Sequence, residues 1–485
     1  MKRLTEIFKN IDVKRWVGSG DIAIGNLEYD SRAVGDQSCF FALRGTLSDG
    51  HAYIDSAIER GARGVVCEQL PESLAPFVSY ILVEDSHLAL GVAAAELYDN
   101  PSRELKLMGI TGTNGKTTTA TLLYDLFRTL GYRVGLISTV VYCIDEQRIE
   151  STHTTPDAVR LQSMLRQMVD CGCEYCFMEV SSHAIVQNRI SGLSFTGALF
   201  SNITHDHLDY HHTFAEYIKA KKRLFDTLPK QAFAITNIDD RNGEVMLQNC
   251  RASRYTYSLR SMASYRCKIV EMHLNAMLLR LDGEEIWVGS TGRFNAYNML
   301  AIYSVARLLG VDKRECLVAL SSLQAVCGRF ETMPLPNGAT AIIDYAHTPD
   351  ALESVISTIE EIIAPEQQLI VVCGCGGERD REKRPKMAQI ATSHASLSIF
   401  TSDNPRSEDP QVILSEMVEG VTDRTARYIS IVDRREAIRT ALLFAQRGDV
   451  VLIAGKGHEK YQIIGDRKLH FDDHEVVHEI SKNEK

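Results

Sequence analysis

Gly112-Thr113-Asn114-Gly115-Lys116-Thr117-Thr118 sits between two unlike periodicities. Before it, residues 105–111 are a mostly apolar run that reads as a buried strand, and after it residues 119–127 carry helical apolar spacing. A strand, a glycine loop, Lys-Thr and a helix in that order commit the chain to an α/β layer with a helix packed on a buried sheet. Glycines let backbone N–H groups approach phosphate oxygens, and the helix start adds partial positive charge. Lys116 would reach the β- and γ-phosphates, and the Thr117 hydroxyl would hold Mg²⁺. The usual motif has a second glycine where this chain has Ile110, so the spacing is not standard. The flanking strand and helix favour a phosphate cradle over an ordinary corner.

The 485 residues predict about three domains. With 45% hydrophobic and 24% charged residues, a packed core is expected and disorder is not. A net charge of −10 argues against nucleic-acid binding, which needs a basic face. It leaves a nucleotide substrate open, because that needs only local positive charge. Neither a signal-peptide-like start nor an apolar run of about 18 residues is found, so a cytoplasmic protein with no membrane partner is expected. The 12 cysteines are expected to be buried thiols, Cys173 and Cys176 included, although that pair has zinc-like spacing.

Residues 1–97 alternate short strands and helices, with Asp30-Ser31-Arg32 after one strand, 40–45 as another and a turn at Asp49-Gly50-His51. Asn100-Pro101-Ser102 reads as a linker. In the middle third, Thr154-Thr155-Pro156-Asp157 precedes a helix with Asp157 in its first turn. Residues 175–180 form a buried strand ending in Glu179, where an acid beside a phosphate-loop strand can hold Mg²⁺ or position water. A strand over 197–203 leads into Thr204-His205-Asp206-His207-Leu208-Asp209-Tyr210-His211-His212, a cluster suited to metal ligation or acid–base work. A zinc hydrolase is the rival reading there, but no His-Glu-x-x-His helix supports it. A helix over about 214–228 carries Lys219, Lys221 and Lys222.

From about Met333 the pattern is a series of β-α units, with strands at 341–344, 369–373, 397–401, 428–432 and 450–454. That pattern predicts a mostly parallel, Rossmann-like doubly wound sheet. Ligands bind beyond the carboxyl ends of such strands. The residues expected there are polar: His347, Arg379-Asp380-Arg381, Asp403-Asn404-Pro405-Arg406 and Gly455-Lys456-Gly457-His458-Glu459. The expected fold is thus α/β in three domains, 1–97, 98–332 and 333–485, the central one of P-loop ATPase type.

Together these stretches resemble the Mur ligases of peptidoglycan synthesis. The loop at 112–118 matches that family as it stands, as do Glu179-Val180-Ser181-Ser182-His183, residues 202–210, Gly328-Arg329-Phe330-Glu331, residues 344–350 and residues 455–459. Within the family, Asp403-Asn404-Pro405-Arg406 is similar to the signature of the branch that adds meso-diaminopimelate to UDP-N-acetylmuramoyl-L-alanyl-D-glutamate. The lysine-adding branch lacks an Arg there. The resemblance implies an N-terminal UDP-sugar domain, a central ATP domain, a C-terminal amino-acid domain and a monomer. It implies uridine contacts from Ser31 and His51, and muramoyl-peptide contacts from Thr154, Thr155, Ser181, Gln187 and Arg189. Asn295, Arg329 and Asp344 would lie near the adenosine. Lys221 aligns with a carbamylated lysine, which would join Thr117, Glu179 and His207 around two Mg²⁺ ions.

The implied reaction converts a carboxylate into an acyl phosphate with ATP, after which an amine displaces phosphate. The demand is then positioning and charge neutralisation, with Lys116 part of the latter. His207 and His347 both remain open as bases for the amine. Meso-diaminopimelate ends in a carboxylate beside an amino group, whereas lysine ends in an ammonium. Arg406 offers a bidentate fork that attracts the first and repels the second. Arg379 is a second carboxylate partner, with Asp403 and Asn404 beside the same site, and Glu459 with the Gly455 backbone would take the distal amino group. Rival readings are a relative such as folylpolyglutamate synthase or the dipeptide-adding Mur ligase, and a regulatory P-loop ATPase.

Overall fold

Parallel strands joined by helices repeat along the chain, and in the computed structural model, which describes residues 1–45 and 48–483, they assemble into three large sheets. The first has five strands in the order Val13–Val17, Ser79–Val83, Ala62–Cys67, Ser38–Phe41, Asn26–Glu28. Only Val13–Val17 runs antiparallel to its neighbour. The strand expected at 40–45 lies earlier, at Ser38–Phe41, with one further bond to its neighbour from Ala42 N to the Val66 carbonyl at 2.9 Å. Asn100-Pro101-Ser102 is not a loose linker: Pro101 and Ser102 are buried, and Ser102 Oγ accepts from Ser194 N at 3.0 Å.

The central sheet has 11 strands, with Lys106–Thr111 between Tyr175–Glu179 and Gly197–Phe200, all parallel. Register decides what meets the phosphate loop. Glu179 pairs with Ile110 and Phe200 with Thr111, so an acid on one side and Ser201-Asn202 on the other arrive beside Gly112. Helix Lys116–Thr129 covers this layer, burying Leu122, Leu123, Leu126 and Phe127 against Met108, Ile110 and Phe177. Each such side chain contributes about 1.5–3 kcal/mol of hydrophobic stabilisation. Ile110 is fully buried in this core, which explains why an apolar residue stands where the usual motif has glycine. The strand expected over 197–203 stops at Phe200, freeing Ser201 and Asn202 to bond the loop. Asp157 caps its helix rather than entering it, accepting from Arg160 N at 3.0 Å. The lysine-bearing helix ends at Asp226 rather than 228.

The C-terminal sheet has six strands in the order Glu331–Pro334, Thr340–Asp344, Val450–Ala454, Leu369–Cys373, Leu397–Thr401, Tyr428–Ile431. All neighbours are parallel except the antiparallel edge strand Glu331–Pro334. The expected strands all form, with the last ending one residue early, at Ile431. Cys173 and Cys176 are buried against the core, where burial pushes the Cys173 thiol up to about 11. Among the described residues no helix is long and apolar enough to cross a membrane.

Candidate active site

The carboxyl ends of the central strands and the C-terminal loops face one cleft of about 1190 Å³. On the central side the phosphate loop is tied down at both glycines. Gly115 has φ +85°, and a Cβ there would lie 2.6 Å from Asn298 Oδ1. Gly112 has φ +152°, and a Cβ would lie 1.9 Å from Ser201 Oγ. Both positions therefore require glycine. Asn202 fixes the loop from the neighbouring strand end: its Oδ1 accepts from Asn114 N at 2.9 Å and its carbonyl from Thr113 N at 2.8 Å. Lys116 Nζ donates to the Gly112 and Thr113 carbonyls at 3.0 and 2.9 Å. Burial lowers its basicity against the opposing pull of Glu179 and Asp206.

Glu179 is fully buried, and its carboxylate accepts from Thr139 N at 2.7 Å and Thr139 Oγ1 at 3.2 Å. Of the three lysines on helix Phe214–Asp226, only Lys221 enters the cleft. Lys219 is solvated beside Glu216, and Lys222 pairs with Asp226. Lys221 Nζ donates to the Gly112 carbonyl at 2.7 Å and lies 4.6 Å from the Tyr217 ring centroid. Burial first, then the charge of Lys116, hold its amine well below ordinary basicity. The Tyr217 hydroxyl is 3.1 Å from Thr113 Oγ1, which joins this helix to the phosphate loop.

The histidine cluster is only partly in the site. His207, at φ +54°, and Asp206 line the cleft, with the His207 ring 4.9 Å from that of His183. Burial opposes the Asp206 charge, but His207, His347 and Lys116 outweigh it and keep its carboxyl below the ordinary value. His211 turns inward instead, 2.9 Å from Ser182 Oγ. The side chains of Leu208 and Asp209 lie outside the described residues.

Arg329 crosses the cleft, donating to Thr117 Oγ1 at 3.3 Å with its guanidinium 4.5 Å from the Tyr345 ring centroid. Asp344 accepts from Phe330 N and Ala346 N, both at 2.7 Å. Asn295 is locked between Thr291 O and Asn298. His347 Nδ1 is 2.8 Å from the Tyr345 carbonyl, and burial lowers its pKa. Around Glu179, Thr154 Oγ1 accepts from Thr139 Oγ1 at 3.0 Å, Thr155 Oγ1 donates to the Glu179 carbonyl at 2.8 Å, and Arg189 donates to the Thr155 carbonyl at 2.9 Å. Ser181 caps its short helix from the same cleft wall.

Arg379, Arg406 and Glu459 line the C-terminal wall. Arg406, at φ +52°, donates to the Gly377 carbonyl at 2.6 Å. Glu459 Oε2 accepts from Asn404 Nδ2 at 2.9 Å and from the buried Lys456 at 3.2 Å. Asp403 and Gly455 pack behind this wall, where a Cβ on Gly455 would lie 2.9 Å from Asp403 Oδ2. Gln187 also stands behind the lining, accepting from Arg189 Nε at 2.9 Å.

Ser31 and His51 are not among the cleft residues. Ser31 opens a turn capped by Asp30, whose carboxyl is held at about 2 by its bidentate bonds from Arg32. His51 Nε2 accepts from Glu68 N at 3.0 Å while its Nδ1 faces Asp49 at 2.6 Å.

Thr139, Tyr217 and Asn298 also line the cleft without a motif in the sequence, and His458 lines it from the polar stretch expected at the carboxyl ends of the C-terminal strands. Thr139 owes its place to strand Val134–Ile137 lying next to Tyr175–Glu179, a neighbourhood the linear sequence does not carry. Tyr217 is recoverable, one helical turn before Lys221 on the same face. His458 sits 4.8 Å from the Tyr345 ring, and burial pushes its pKa down to about 3.

Family models match most of the chain: "Mur ligase family, catalytic domain" over residues 23–98, "Mur ligase middle domain" over 110–306 and "Mur ligase, glutamate ligase domain" over 328–457. The chain is 52% identical over 483 residues to a Phocaeicola vulgatus protein named UDP-N-acetylmuramoyl-L-alanyl-D-glutamate–2,6-diaminopimelate ligase, covering 99% of this chain and 100% of that one. A solved structure of a ligase of the same name is 30% identical, with a TM-score of 0.71 over 100% of this chain and 99% of that one. MurF ligase from Thermotoga maritima in complex with ADP, 19% identical, shares the fold with a TM-score of 0.63 over 96% and 98% of the two chains. Three family models over most of the chain and 52% identity over its length to a named ligase establish that the chain belongs to the Mur ligase family.

Proposed function

We propose that this protein is the ATP-dependent ligase that joins meso-2,6-diaminopimelate to the D-glutamate of UDP-N-acetylmuramoyl-L-alanyl-D-glutamate, in cytoplasmic peptidoglycan precursor synthesis. The observation that carries the reading is that Lys116 of the phosphate loop and the arginines Arg379 and Arg406 line the same cleft. An ATP cradle and a fork for a dicarboxylic amino acid thus open onto one reaction space. The substrates are those named by the relatives. Residues 1–97 would bind the UDP-sugar through Ser31 and His51, residues 98–332 ATP, and residues 333–485 the amino acid.

The chain's residues divide the work. Loop N–H groups and Lys116 hold the ATP phosphates, while Asn295, Arg329 and Asp344 hold the adenosine end. Thr154, Thr155, Ser181, Gln187 and Arg189 orient the muramoyl-peptide. A glutamate carboxylate oxygen attacks the γ-phosphorus, the bond to the β-phosphate oxygen breaks, and ADP leaves. The amine nitrogen then attacks the acyl carbon, the carbon–oxygen bond to phosphate breaks, and the amine loses a proton. Lys116 neutralises charge on the transferring group, and the cleft wall aligns the two reactants.

Thr117 and Glu179 offer hard oxygen donors beside the loop, a fit for Mg²⁺, with His207 adding a single nitrogen. Lys221 would complete the set once carbamylated, and its buried, weakly basic amine is the form that reacts with carbon dioxide. Mg²⁺ bound there supplies charge neutralisation for phosphoryl transfer. Arg406 and Arg379 take the distal carboxylate of diaminopimelate, with Asp403, Asn404, Gly455 and Glu459 around its amino group.

The test is phosphate release by the purified protein with ATP and Mg²⁺. Release should require both the UDP-N-acetylmuramoyl-dipeptide and meso-diaminopimelate. Release that ignores acceptor and amino acid would mean a regulatory ATPase instead.

A further inference from the structure

The two arginines that face the amino acid belong to different loops, and like charges side by side repel. Something must hold them together before a carboxylate arrives. Behind them lies Arg384, fully buried on helix Lys383–His394. Its Nη1 and Nη2 donate to Glu408 Oε2 and Oε1, both at 3.0 Å, Nη1 also to Glu416 at 2.6 Å, and Nη2 to the Gly376 carbonyl at 3.2 Å.

Glu408 is the point where the two loops meet. It lies just beyond Arg406, accepts from Glu378 N in the Arg379 loop, and accepts from Arg381 at 3.3 Å. The loops are then closed on each other by Gly377 N to Asn404 O at 3.0 Å and Arg406 Nη1 to Gly377 O at 2.6 Å. The fit leaves no slack: a Cβ on Gly377 would lie 1.9 Å from the Pro405 carbonyl, and one on Gly376 would lie 3.1 Å from Arg406 Nη1.

Burying a guanidinium is costly, and apolar replacement of such pairs is often neutral or stabilising, so stability alone does not account for Arg384. What the pair supplies is geometry. We infer that Arg384 and Glu408 are a positioning pair that sets Arg379 and Arg406 as one fork, and so sets the preference for an amino acid ending in a carboxylate over one ending in an ammonium. The inference rests on the diaminopimelate reading and names the device behind it. Glu416 is the internal control. It bonds the same buried arginine from helix Pro410–Val418, 25% exposed, and also pairs with the Arg381 side chain at 3.6 Å, but the backbone N–H of Glu378 in the Arg379 loop donates to Glu408.

The experiment compares kcat/KM for meso-diaminopimelate and L-lysine at saturating ATP and acceptor, in the wild type and in Glu408→Gln, Arg384→Lys and Glu416→Gln. Loss of a hydrogen bond between charged groups typically costs about 10- to 100-fold. Glu408→Gln and Arg384→Lys should raise the diaminopimelate KM by about that factor, leave the ATP KM unchanged and lower the diaminopimelate-to-lysine preference. Glu416→Gln should lower thermal stability and keep the preference. If Arg384→Lys does not fold, Glu408→Gln decides. An unchanged preference in Glu408→Gln, or an equal loss in Glu416→Gln, overturns the positioning role. A wild type with no preference for diaminopimelate overturns the substrate reading itself.

Discussion

The two walls of the cleft are built by different means, and on the proposed function each would recognise a different charge. The phosphate-loop wall is shaped by its backbone: Thr113 N and Asn114 N donate to Asn202 and the Asn114 carbonyl accepts from Ser201, so the loop's form is fixed from the neighbouring strand end. The amino-acid wall uses side chains: Arg379 and Arg406 stand in front of Arg384, Glu408 and Glu416. A backbone cradle binds phosphate whatever lies beyond it, which suits a step common to every substrate. A side-chain fork can be changed one residue at a time, which suits the step that chooses the substrate. Each wall should therefore fail differently.

The largest effect is expected at the phosphate wall. Lys116→Met should lower kcat by about 10²–10³ while leaving folding intact, read by phosphate release and thermal melting. Gly112→Ala should abolish nucleotide binding by calorimetry, since its Cβ would meet Ser201 Oγ at 1.9 Å. Retained binding there would break the claim that backbone shape makes this wall.

At the other wall, Arg406→Ala should raise the diaminopimelate KM by about 10- to 100-fold, the loss of one charge-assisted contact, with ATP affinity unchanged. Unchanged amino-acid kinetics would remove Arg406 from the site.

A smaller effect is acid sensitivity. The bonds from Arg384 hold the Glu408 carboxyl at about 2, below its ordinary 4.5. The folded state therefore binds that proton less readily than the unfolded chain. Its stabilisation is fully present above pH 4.5 and is lost as pH falls toward 2. Thermal melting of Glu408→Gln across that window should show a flatter acid limb than the wild type. An identical slope would mean that the Arg384–Glu408 pair does not couple to folding.

The smallest effect is expected at Tyr217→Phe, which removes the hydroxyl contact to Thr113 but keeps the ring beside Lys221. A neutral hydrogen bond is worth about 0.5–1.5 kcal/mol, so kcat should fall by less than about tenfold. A larger loss would mean that this hydroxyl, not the ring, sets the loop.

The α/β plan, with its mostly parallel sheets, and the C-terminal strands were legible in sequence because period and length specify a buried parallel strand almost unaided. Glu179 was legible for the same reason: an acid closing an apolar strand beside a phosphate-loop strand. Residues that depend on strand order were not. Thr139 reaches Glu179 only because strand Val134–Ile137 lies next to Tyr175–Glu179, and the sheet's far edge, from Ser253 to Val288, has partly exposed strands whose pattern is weak. Asp157 was misplaced by one position because a cap and a first-turn acid look alike in sequence. Lys221 could not be separated from Lys219 and Lys222 by helical spacing alone, and burial separates them. Arg384 gave no signal, since a charged residue on a helix is usually solvated.

On the proposed function, one chain couples a general phosphate cradle to a fork selective for a dicarboxylic amino acid. The most direct measurement is the mass of the product formed from ATP, UDP-N-acetylmuramoyl-L-alanyl-D-glutamate and an equimolar mixture of meso-diaminopimelate and L-lysine. The expected product carries diaminopimelate almost alone. A product carrying lysine, or both amino acids equally, would contradict it.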